Sequence, residues 1–468
     1  MTGQNGFSPN RAKTVPLRAF RPGRPDLAVL FSLAFPVVVV QVGTMLMGVV
    51  DTVMVGHVSP RDLAAVALGN LYFFGCTLVG MGVLYALDPL VSQALGAGDD
   101  EAVARSVQRS VILVVGLTVA TSVVMAPAGA VLRLLRQPAE VVPTASAYVV
   151  ATIAGALPFY AFVALRQTLQ AMGRITPVIV AVVLGNVANV ALNWVLVFGH
   201  LGAPALGAVG SGWASTLARW LMAFVLLGLG WPATRRYLWP PRAGVRAWAP
   251  LRATLALGLP IGAQFSLEFG AFAAIAVLMG WLSTTAMAGH QVAINLASLT
   301  FMVPLGIGQA AGVLVGRAVG RSDEAGARRA AGAGLLAGAA FMTGTALLFL
   351  TAPGPLAAQY TNDAEVLAVA VSLLPLAGLF QVFDGLQVVA AGVLRGVGDT
   401  RAPMIVNVVG FWICGMPISL WLGFRMGAGP VGLWWGLVAG LAAVAFFLLA
   451  RIRRRFGGEL KRLVLAGH

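Results

Sequence analysis

The chain has 468 residues, of which 59% are hydrophobic and only 10% are charged. A soluble protein of this length carries about a quarter charged residues, so this composition excludes a soluble globular protein. The net charge of +15 does not indicate nucleic-acid binding, because the basic residues lie between and outside long apolar runs. We therefore expect a polytopic membrane protein that is surrounded by the lipid bilayer and has no nucleic-acid partner.

Twelve apolar runs are long enough to cross a bilayer as helices. They are continuous, whereas the strands of a membrane barrel would show short segments of alternating hydrophobicity. The predicted spans are 27–52, 63–88, 108–130, 144–168, 176–199, 207–231, 253–281, 286–314, 330–352, 365–392, 403–424 and 429–450. With twelve spans, both basic ends of the chain and its basic central linker fall on one side of the membrane. The cytoplasmic excess of Lys and Arg then predicts that both termini are cytoplasmic.

The two halves of the chain resemble each other. LAFPVVVVQ at 33–41 is similar to LGLPIGAQF at 257–265, and the loop at 93–106 is similar to the loop at 316–329. Because each half holds an even number of spans, the repeats have the same orientation and are related by an axis along the membrane normal. The sequence therefore predicts an all-α fold of two six-helix bundles with pseudo-twofold symmetry. A cleft between the bundles would suit alternating access.

This interpretation divides the chain into five parts. They are a cytoplasmic basic tail (1–26), an N-terminal six-helix bundle (27–231), a cytoplasmic linker (232–252), a C-terminal six-helix bundle (253–450) and a second cytoplasmic basic tail (451–468). An enzyme is not expected, because the sequence has no metal-ligand cluster of useful spacing and no Ser/His/Asp arrangement. The P-loop pattern of an ATP-driven pump is also absent.

Three carboxylates have strongly apolar surroundings in the sequence. Asp51 is near the end of the first span, Glu268 is in the middle of the seventh, and Asp384 is in the tenth. A charge at the bilayer centre costs about 2.5–3.5 kcal/mol on insertion scales, so such residues indicate a functional site. A low-dielectric cavity disfavours the charged form of a carboxylate, which makes proton uptake possible. We predict that these three acids couple transport to a cation or a proton.

Several segments are similar to one transporter family. QVGTMLMGVVDTVMVGHVSPRDLAAVALG (41–69) resembles the first helix and following loop of the multidrug and toxic compound extrusion (MATE) family. Residues 258–321, which include AGHQVAIN at 288–295, resemble its NorM-like branch, and GVLRGVGDTRAP (392–403) is similar to the end of the tenth helix. The resemblance covers nearly the whole chain outside the tails. It implies a multidrug efflux antiporter that expels amphipathic organic cations in exchange for protons or sodium, without a cofactor.

The resemblance also implies a polar site in the N-terminal bundle. Asp51 matches the aspartate of the family's first helix, which is the main cation or proton site of that bundle. Asn189 and Asn193, one helical turn apart, match polar residues that help to surround this aspartate, and Asn186 belongs to the same cluster. Amides can hydrogen-bond a carboxylate or coordinate a hard cation through oxygen, so sodium is a candidate ligand here as well as a proton.

A second site is implied in the C-terminal bundle. Glu268 and Asp384 match the acids of the family's seventh and tenth helices, and such a pair can share a proton or hold a sodium ion. NorM-like proteins that bind sodium here tend to have a tyrosine one turn before the tenth-helix acid. This chain has Phe380, which supplies no oxygen and favours protons. Gln41 and Gln291 match positions on the first and eighth helices and are candidates for lining the cavity.

Some alternatives stay open. A lipid-linked precursor flippase has the same two-bundle architecture, although it would be expected to have a basic cavity for pyrophosphate. Arg219 in the sixth span either pairs with a carboxylate or extends to the membrane surface. Asp88 is as readily structural as functional. Lys13 and Lys461 are the only lysines among 31 basic residues, as in G+C-rich bacterial genomes, so we expect the protein to lie in a bacterial inner membrane. We also expect it to be a monomer.

Overall fold

The computed structural model describes residues 15–465. Within this part the chain is helical and has no strand. Eleven helical segments are long and apolar enough to cross a membrane, and the pair Val142–Ile153 and Ala156–Ala171, which meets at 50°, makes a twelfth crossing. These features confirm the predicted all-α polytopic fold with twelve spans. The first fourteen residues of the predicted N-terminal tail and the last three of the C-terminal tail lie outside the described residues.

We number the spans in chain order. Spans 1 to 6 are Arg24–Gly56, Pro60–Gly96, Asp100–Met125, Val142–Ala171 with its bend, Thr176–Phe198 and Gly207–Leu238. Spans 7 to 12 are Trp248–Leu282, Thr284–Gly320, Glu324–Thr351, Ala364–Gly396, Arg401–Arg425 and Gly429–Arg455. Span 2 consists of the helices Pro60–Leu84 and Leu87–Gly96, and span 11 contains two π-helical segments, Val408–Gly415 and Trp421–Arg425. Short helices also form at Leu17–Phe20, Ala128–Leu134, His200–Gly202 and Pro353–Ala357.

Several helices continue beyond the apolar runs that predicted them. Span 6 reaches Leu238 and span 7 begins at Trp248, so helix occupies both ends of the segment predicted as a linker. Hydropathy detects only the part of a helix that lies in hydrocarbon, whereas the backbone hydrogen bonds of a helix continue into polar surroundings. Most of the predicted spans are therefore shorter than their helices. The third is placed wrongly at its end: the prediction extends to residue 130, but the helix ends at Met125, two residues before Pro127.

The same helix caps occur in both halves of the chain. Ser59 accepts a hydrogen bond from a backbone amide at the start of span 2 (3.0 Å), and Ser283 does so at the start of span 8 (2.9 Å). Asp99 and Asp323 cap spans 3 and 9 in the same way, at 2.9 and 2.7 Å. The two residues of each pair are 224 positions apart. The same distance separates Pro36 from Pro260, which lie in the two similar segments at 33–41 and 257–265. Side-chain capping of the exposed amides thus begins equivalent helices at equivalent positions.

The two halves contact each other through symmetry-related pairs of spans. Span 1 packs against span 8, and span 2 packs against span 7. Exchange of the halves converts the first pair into the second, as the predicted pseudo-twofold symmetry requires. The first described residue, Val15, contacts the end of span 12, where its amide donates to the carbonyl of Arg453 at 3.5 Å. We call this face of the molecule the terminal face.

Close backbone contact between the halves extends from the middle of the spans to the terminal face. A Cβ atom on Gly82 of span 2 would collide with the backbone of Gly262 of span 7. Nearer the terminal face, a Cβ atom on Gly96 would collide with the carbonyl of Arg317 in span 8. Glycine at these positions allows helices from opposite halves to approach closely, so the halves are closed against each other on this side.

Candidate functional site

The first candidate site surrounds Asp51 inside the N-terminal half. The Asp51 side chain is only 2% exposed. Its Oδ1 accepts hydrogen bonds from the Nδ2 atoms of Asn189 (3.0 Å) and Asn193 (2.8 Å), and its Oδ2 accepts one from the Ser215 hydroxyl. Asn189 and Asn193 share the buried face of span 5, because residues four apart lie on one side of a helix. Neutral donors from spans 5 and 6 therefore satisfy both oxygens of the carboxylate.

A positively charged side chain also lies near this site. Arg219 lies one turn after Ser215 on span 6 and interacts electrostatically with Asp51 and Tyr148. Its guanidinium carbon is 4.0 Å from the ring centre of Phe73, a cation–π geometry. One of its nitrogens, Nη1, is buried without a hydrogen-bond partner among residues 15–465. The guanidinium therefore lies against an aromatic ring inside the N-terminal half, close enough to Asp51 to act on its charge, and does not extend to the membrane surface.

The structure separates Asn186 from the other two asparagines. Its Nδ2 donates to the carbonyls of Gly43 (2.8 Å) and Val182 (2.9 Å), so it joins span 5 to span 1. Its contacts are those of helix packing. The side-chain oxygens of Asn189 and Asn193 are buried and have no partner within the described part of the chain. Rotation of either amide would turn its oxygen toward Asp51. The amide oxygen and the carboxylate could then coordinate a hard cation together, because such cations prefer oxygen ligands.

The second candidate site lies in the C-terminal half. Glu268 on span 7 is half-buried and Asp384 on span 10 is 5% exposed. The two carboxylates interact unfavourably as like charges. Gln387, one turn after Asp384, donates from its Nε2 to Glu268 Oε2 at 3.3 Å. Asp384 Oδ1 is buried with no hydrogen-bond partner among the described residues. A proton or a cation bound between the two acids would remove the repulsion and would give Asp384 Oδ1 a partner.

Aromatic side chains form the wall beside Asp384. Phe380 is 1% exposed and lies one turn before this acid on span 10. Its ring centre is 5.8 Å from that of Phe272 and 5.7 Å from that of Trp434. This side of the second site is therefore apolar. Between residues 15 and 465, no three His, Cys, Asp or Glu side chains come together as a metal site.

The two glutamines predicted to line the cavity lie in different surroundings. Gln41 is buried, and its Oε1 accepts a hydrogen bond from Arg166 at 2.7 Å. Gln291 is exposed and donates to Asn295 at 3.1 Å on the same face of span 8. Span 8 ends on the terminal face, so Gln291, near its beginning, lies toward the opposite face. Only Gln291 has the exposure that a cavity residue needs in this conformation.

A buried polar cluster lies where the two halves meet. Asp88 of span 2 accepts a hydrogen bond from Gln167 (2.9 Å), and Arg166 donates to the Tyr85 hydroxyl (2.7 Å). Arg395, from span 10 of the other half, acts electrostatically on Asp88, and its guanidinium carbon is 5.3 Å from the Tyr85 ring centre. The charges of Asp88 and Arg395 therefore attract across the boundary between the halves.

Sequence reasoning missed three of the residues in these sites. Ser215 lies four residues before Arg219, and Gln387 lies three residues after Asp384. Helical spacing from an intramembrane charge was the signal that would have identified both. No such signal identified Arg395, because its partner Asp88 comes from the other half of the chain.

Known proteins are similar to this chain in sequence. The sequence profile of the MatE family matches residues 36–195 and 260–421. A probable multidrug resistance protein NorM from Mesorhizobium japonicum is 36% identical over 445 residues, which cover 92% of this chain and 94% of the relative. The multidrug resistance protein PmpM from Pseudomonas aeruginosa is 36% identical over 460 residues, 94% of each chain. MdtK from Edwardsiella ictaluri is 34% identical over 431 residues, 91% of this chain and 94% of MdtK.

Solved structures have the same fold. The crystal structure of the eukaryotic MATE transporter AtDTX14 superimposes with a TM-score of 0.85 at 22% identity, covering 94% of this chain and 98% of that one. An outward-facing conformation of a multidrug resistance MATE family transporter of the MOP superfamily gives 0.81 at 20% identity, covering 95% and 99%. The family's members are transporters and not enzymes. The chain therefore belongs to the MatE family, in its NorM-like branch.

Proposed function

We propose that this chain exports amphipathic organic cations by alternating access, in exchange for protons or sodium. The observation that carries the proposal is the pair of buried carboxylate sites, one in each half. Asp51 has three donors. Glu268 and Asp384 repel each other, and Asp384 Oδ1 has no donor among the described residues. The bacterial relatives are named as multidrug resistance proteins, which supports the substrate class.

Residues 27–231 and 253–450 are, in this proposal, the two bundles that move relative to each other. The segment 232–252 links them in the cytoplasm, and the tails at 1–26 and 451–468 are also cytoplasmic. The basic residues at the span ends of the terminal face, among them Arg174, Arg321 and the last turn of span 12, support this orientation. The protein then lies in a bacterial inner membrane as a monomer, with the coupling ion in place of a cofactor.

The coupling ion displaces the substrate in this mechanism. The negative carboxylates attract an organic cation, and their neutralisation by a proton or by sodium weakens that attraction and favours release. The apolar side chain of Phe380 beside Asp384 supports protons at the second site. The two asparagines at Asp51 could serve either ion. A flippase for lipid-linked precursors is not favoured by the comparisons.

The experiment uses purified protein in liposomes and a fluorescent organic cation. An imposed pH gradient and an imposed sodium gradient are tested separately, with empty liposomes as the control. Transport that follows the pH gradient alone supports proton coupling, and transport that follows the sodium gradient alone supports sodium. Protein that moves no cation under either gradient would contradict the proposal.

A further inference from the structure

A basic pocket opens on the terminal face between the two halves. Its volume is about 650 Å³, and spans 2, 6 and 8 end beside it. Its lining includes Arg174 and Arg236 from the N-terminal half and Arg317 and Arg321 from the C-terminal half, and it has no acidic residue. Four positive charges thus converge at the ends of membrane spans, where the polar surface of the bilayer lies.

Three of these arginines have no acidic partner among the described residues. Arg236 lies 3.9 Å from an oxygen of Asp100, but Arg174, Arg317 and Arg321 form no ion pair within residues 15–465. Arg317 and Arg321 are one turn apart on span 8 and repel each other. An anion in the pocket would relieve this repulsion.

One of the arginines is held in place by the protein itself. The Nε and Nη2 atoms of Arg317 donate to the carbonyl of Ala171, at 3.1 and 2.6 Å. These bonds join the end of span 8 in one half to the end of span 4 in the other. The guanidinium is therefore positioned before any ligand binds, which lowers the entropy cost of binding.

An apolar groove adjoins the basic pocket. Its volume is about 330 Å³, and Arg317 lines both cavities. Span 1 contributes Val29 and Leu33, and Ile175 and Ile179 lie just before and within span 5. The hydroxyl side chains of Ser32 and Thr176 also line the groove. Val29 is 52% exposed, so the groove reaches the outer surface of the helices. A basic pocket at the membrane surface that continues into an apolar groove along the spans matches a phosphate group followed by a hydrocarbon chain.

We propose that the pocket and the groove bind one anionic phospholipid. Its phosphate lies among the arginines, because charge-assisted hydrogen bonds from guanidinium groups to phosphate are strong and directional. One acyl chain lies in the groove between spans 1, 5 and 8. A zwitterionic lipid would bring a positive headgroup toward the arginines, and inorganic phosphate would leave the groove unfilled. Basic pockets between membrane helices bind anionic headgroups in this way.

The test measures lipid binding and not transport, so it is independent of the proposed coupling mechanism. The full chain is placed in phosphatidylcholine nanodiscs with a graded fraction of phosphatidylglycerol, extracted into detergent, and analysed by native mass spectrometry for retained lipid. The variant Arg174→Gln/Arg321→Gln removes two exposed charges from the pocket. The control, Arg453→Gln/Arg454→Gln, removes two exposed charges from the same face outside the pocket.

Wild type and the control should retain phosphatidylglycerol in preference to phosphatidylcholine. The pocket variant should bind phosphatidylglycerol about 30-fold more weakly, since each of the two basic residues near the membrane surface contributes about 1 kcal/mol. Val29→Trp, which fills the groove, should also weaken retention. Equal retention by the pocket variant and the control would overturn the site. Displacement of the lipid by millimolar inorganic phosphate, with no effect of Val29→Trp, would identify a free-anion site and overturn the lipid assignment.

Discussion

At Asp51, the donors that surround the carboxylate stabilise its charged form within the membrane. Two amides and one hydroxyl converge on it, so replacement of any one leaves an oxygen less satisfied. A hydrogen bond to a charged group contributes about 1.5–3 kcal/mol, which is more than a neutral pair contributes. The Ser215 hydroxyl is the only one of the three donors that comes from span 6, and it therefore also joins this span to span 1.

Ser215→Ala should lower the apparent free energy of unfolding by about 1.5–3 kcal/mol, because Asp51 loses a donor. Ser211→Ala is the matched control, since Ser211 lies one turn earlier on the same span, is fully buried, and has a hydroxyl without a partner among the described residues. Thermal unfolding in detergent, followed by fluorescence, compares the two variants. Equal Tm values for both would mean that the Ser215–Asp51 bond does not stabilise the fold.

Glu268→Gln should have opposite effects on stability and on transport. It removes one member of a like-charged pair with Asp384, so at pH 8 the apparent Tm should rise by about 2 °C. The same change removes a proposed coupling group, so transport should fall, as expected where a site keeps unfavourable interactions for function. Glu365→Gln, at the exposed start of span 10, is the control. A lower Tm for Glu268→Gln would show that Glu268 contributes more through its bond to Gln387 than it costs through repulsion.

The sequence identified the charged centres of the two sites and only part of their surroundings. Asp51, Glu268 and Asp384 could be found because a carboxylate within an apolar run stands out. Asn189 and Asn193 could be found because helical spacing places them on one face, and the structure brings both to Asp51. Their roles in ion binding remain predictions. The position of Asn186 could not be found, because its bond to the backbone of span 1 depends on how two helices pack.

The contact between spans 2 and 7 determines how closely the halves approach. Gly82→Leu should push these spans apart, because a Cβ atom at this position meets the backbone of Gly262. Overpacking of this kind costs about 1–3 kcal/mol, so the apparent Tm should fall. Gly116→Leu, on span 3, is the control, since a Cβ atom there has no neighbour within 4 Å. An unchanged Tm for Gly82→Leu would mean that the halves separate at this point without loss of stability.

The segment that follows span 12 connects both halves on the terminal face. Arg462 contacts Asp99 at 2.6 Å and the amide of Leu463 donates to Gln93 at 2.7 Å, both in the N-terminal half. The amide of Leu460 donates to Glu324 in the C-terminal half, at 3.4 Å. This segment therefore holds the two halves together on the side where they are closed.

Arg462→Gln should loosen this segment. The exchange of backbone amides in residues 458–465 with deuterium should become about threefold faster, because a partly exposed ion pair contributes about 0.2–1 kcal/mol. The hydrogen bond from the amide of Ala102 and the contact with Arg462 hold the pKa of Asp99 below its usual value. The stabilisation is therefore complete at neutral pH and is lost as the pH falls below about 4. Exchange in Arg462→Gln no faster than in Arg454→Gln would contradict this role.

At the scale of elements, continuous apolar runs predicted the twelve spans, and the internal repeat predicted their division into two halves. The repeat offset of 224 residues also relates the caps at Ser59 and Ser283, although the sequence alone did not identify them as caps. The bend within span 4 and the π-helical segments of span 11 were not predicted. These irregularities depend on contacts between helices, and hydropathy carries no information about them.

For the whole molecule, the structure describes a state in which the two halves are closed against each other at the terminal face. The polar cluster of Asp88 and Arg395, the glycine contacts of spans 2 and 7, and the segment after span 12 all join the halves on or toward this side. A ligand shifts such an equilibrium only by its different affinity for the two states. In the proposed mechanism, the carboxylates of each half are the groups through which ion binding changes that balance.

The most direct test of this account measures pH-gradient-driven transport of a fluorescent organic cation in liposomes. Wild type is compared with Asp51→Asn, Glu268→Gln and Asp384→Asn, and with the control Glu140→Gln, which changes an exposed carboxylate outside the spans. The account predicts that Asp51→Asn and Glu268→Gln fall to the rate of empty liposomes and that the control keeps the wild-type rate. Wild-type rates for all three carboxylate variants would contradict the assignment of these acids to ion coupling.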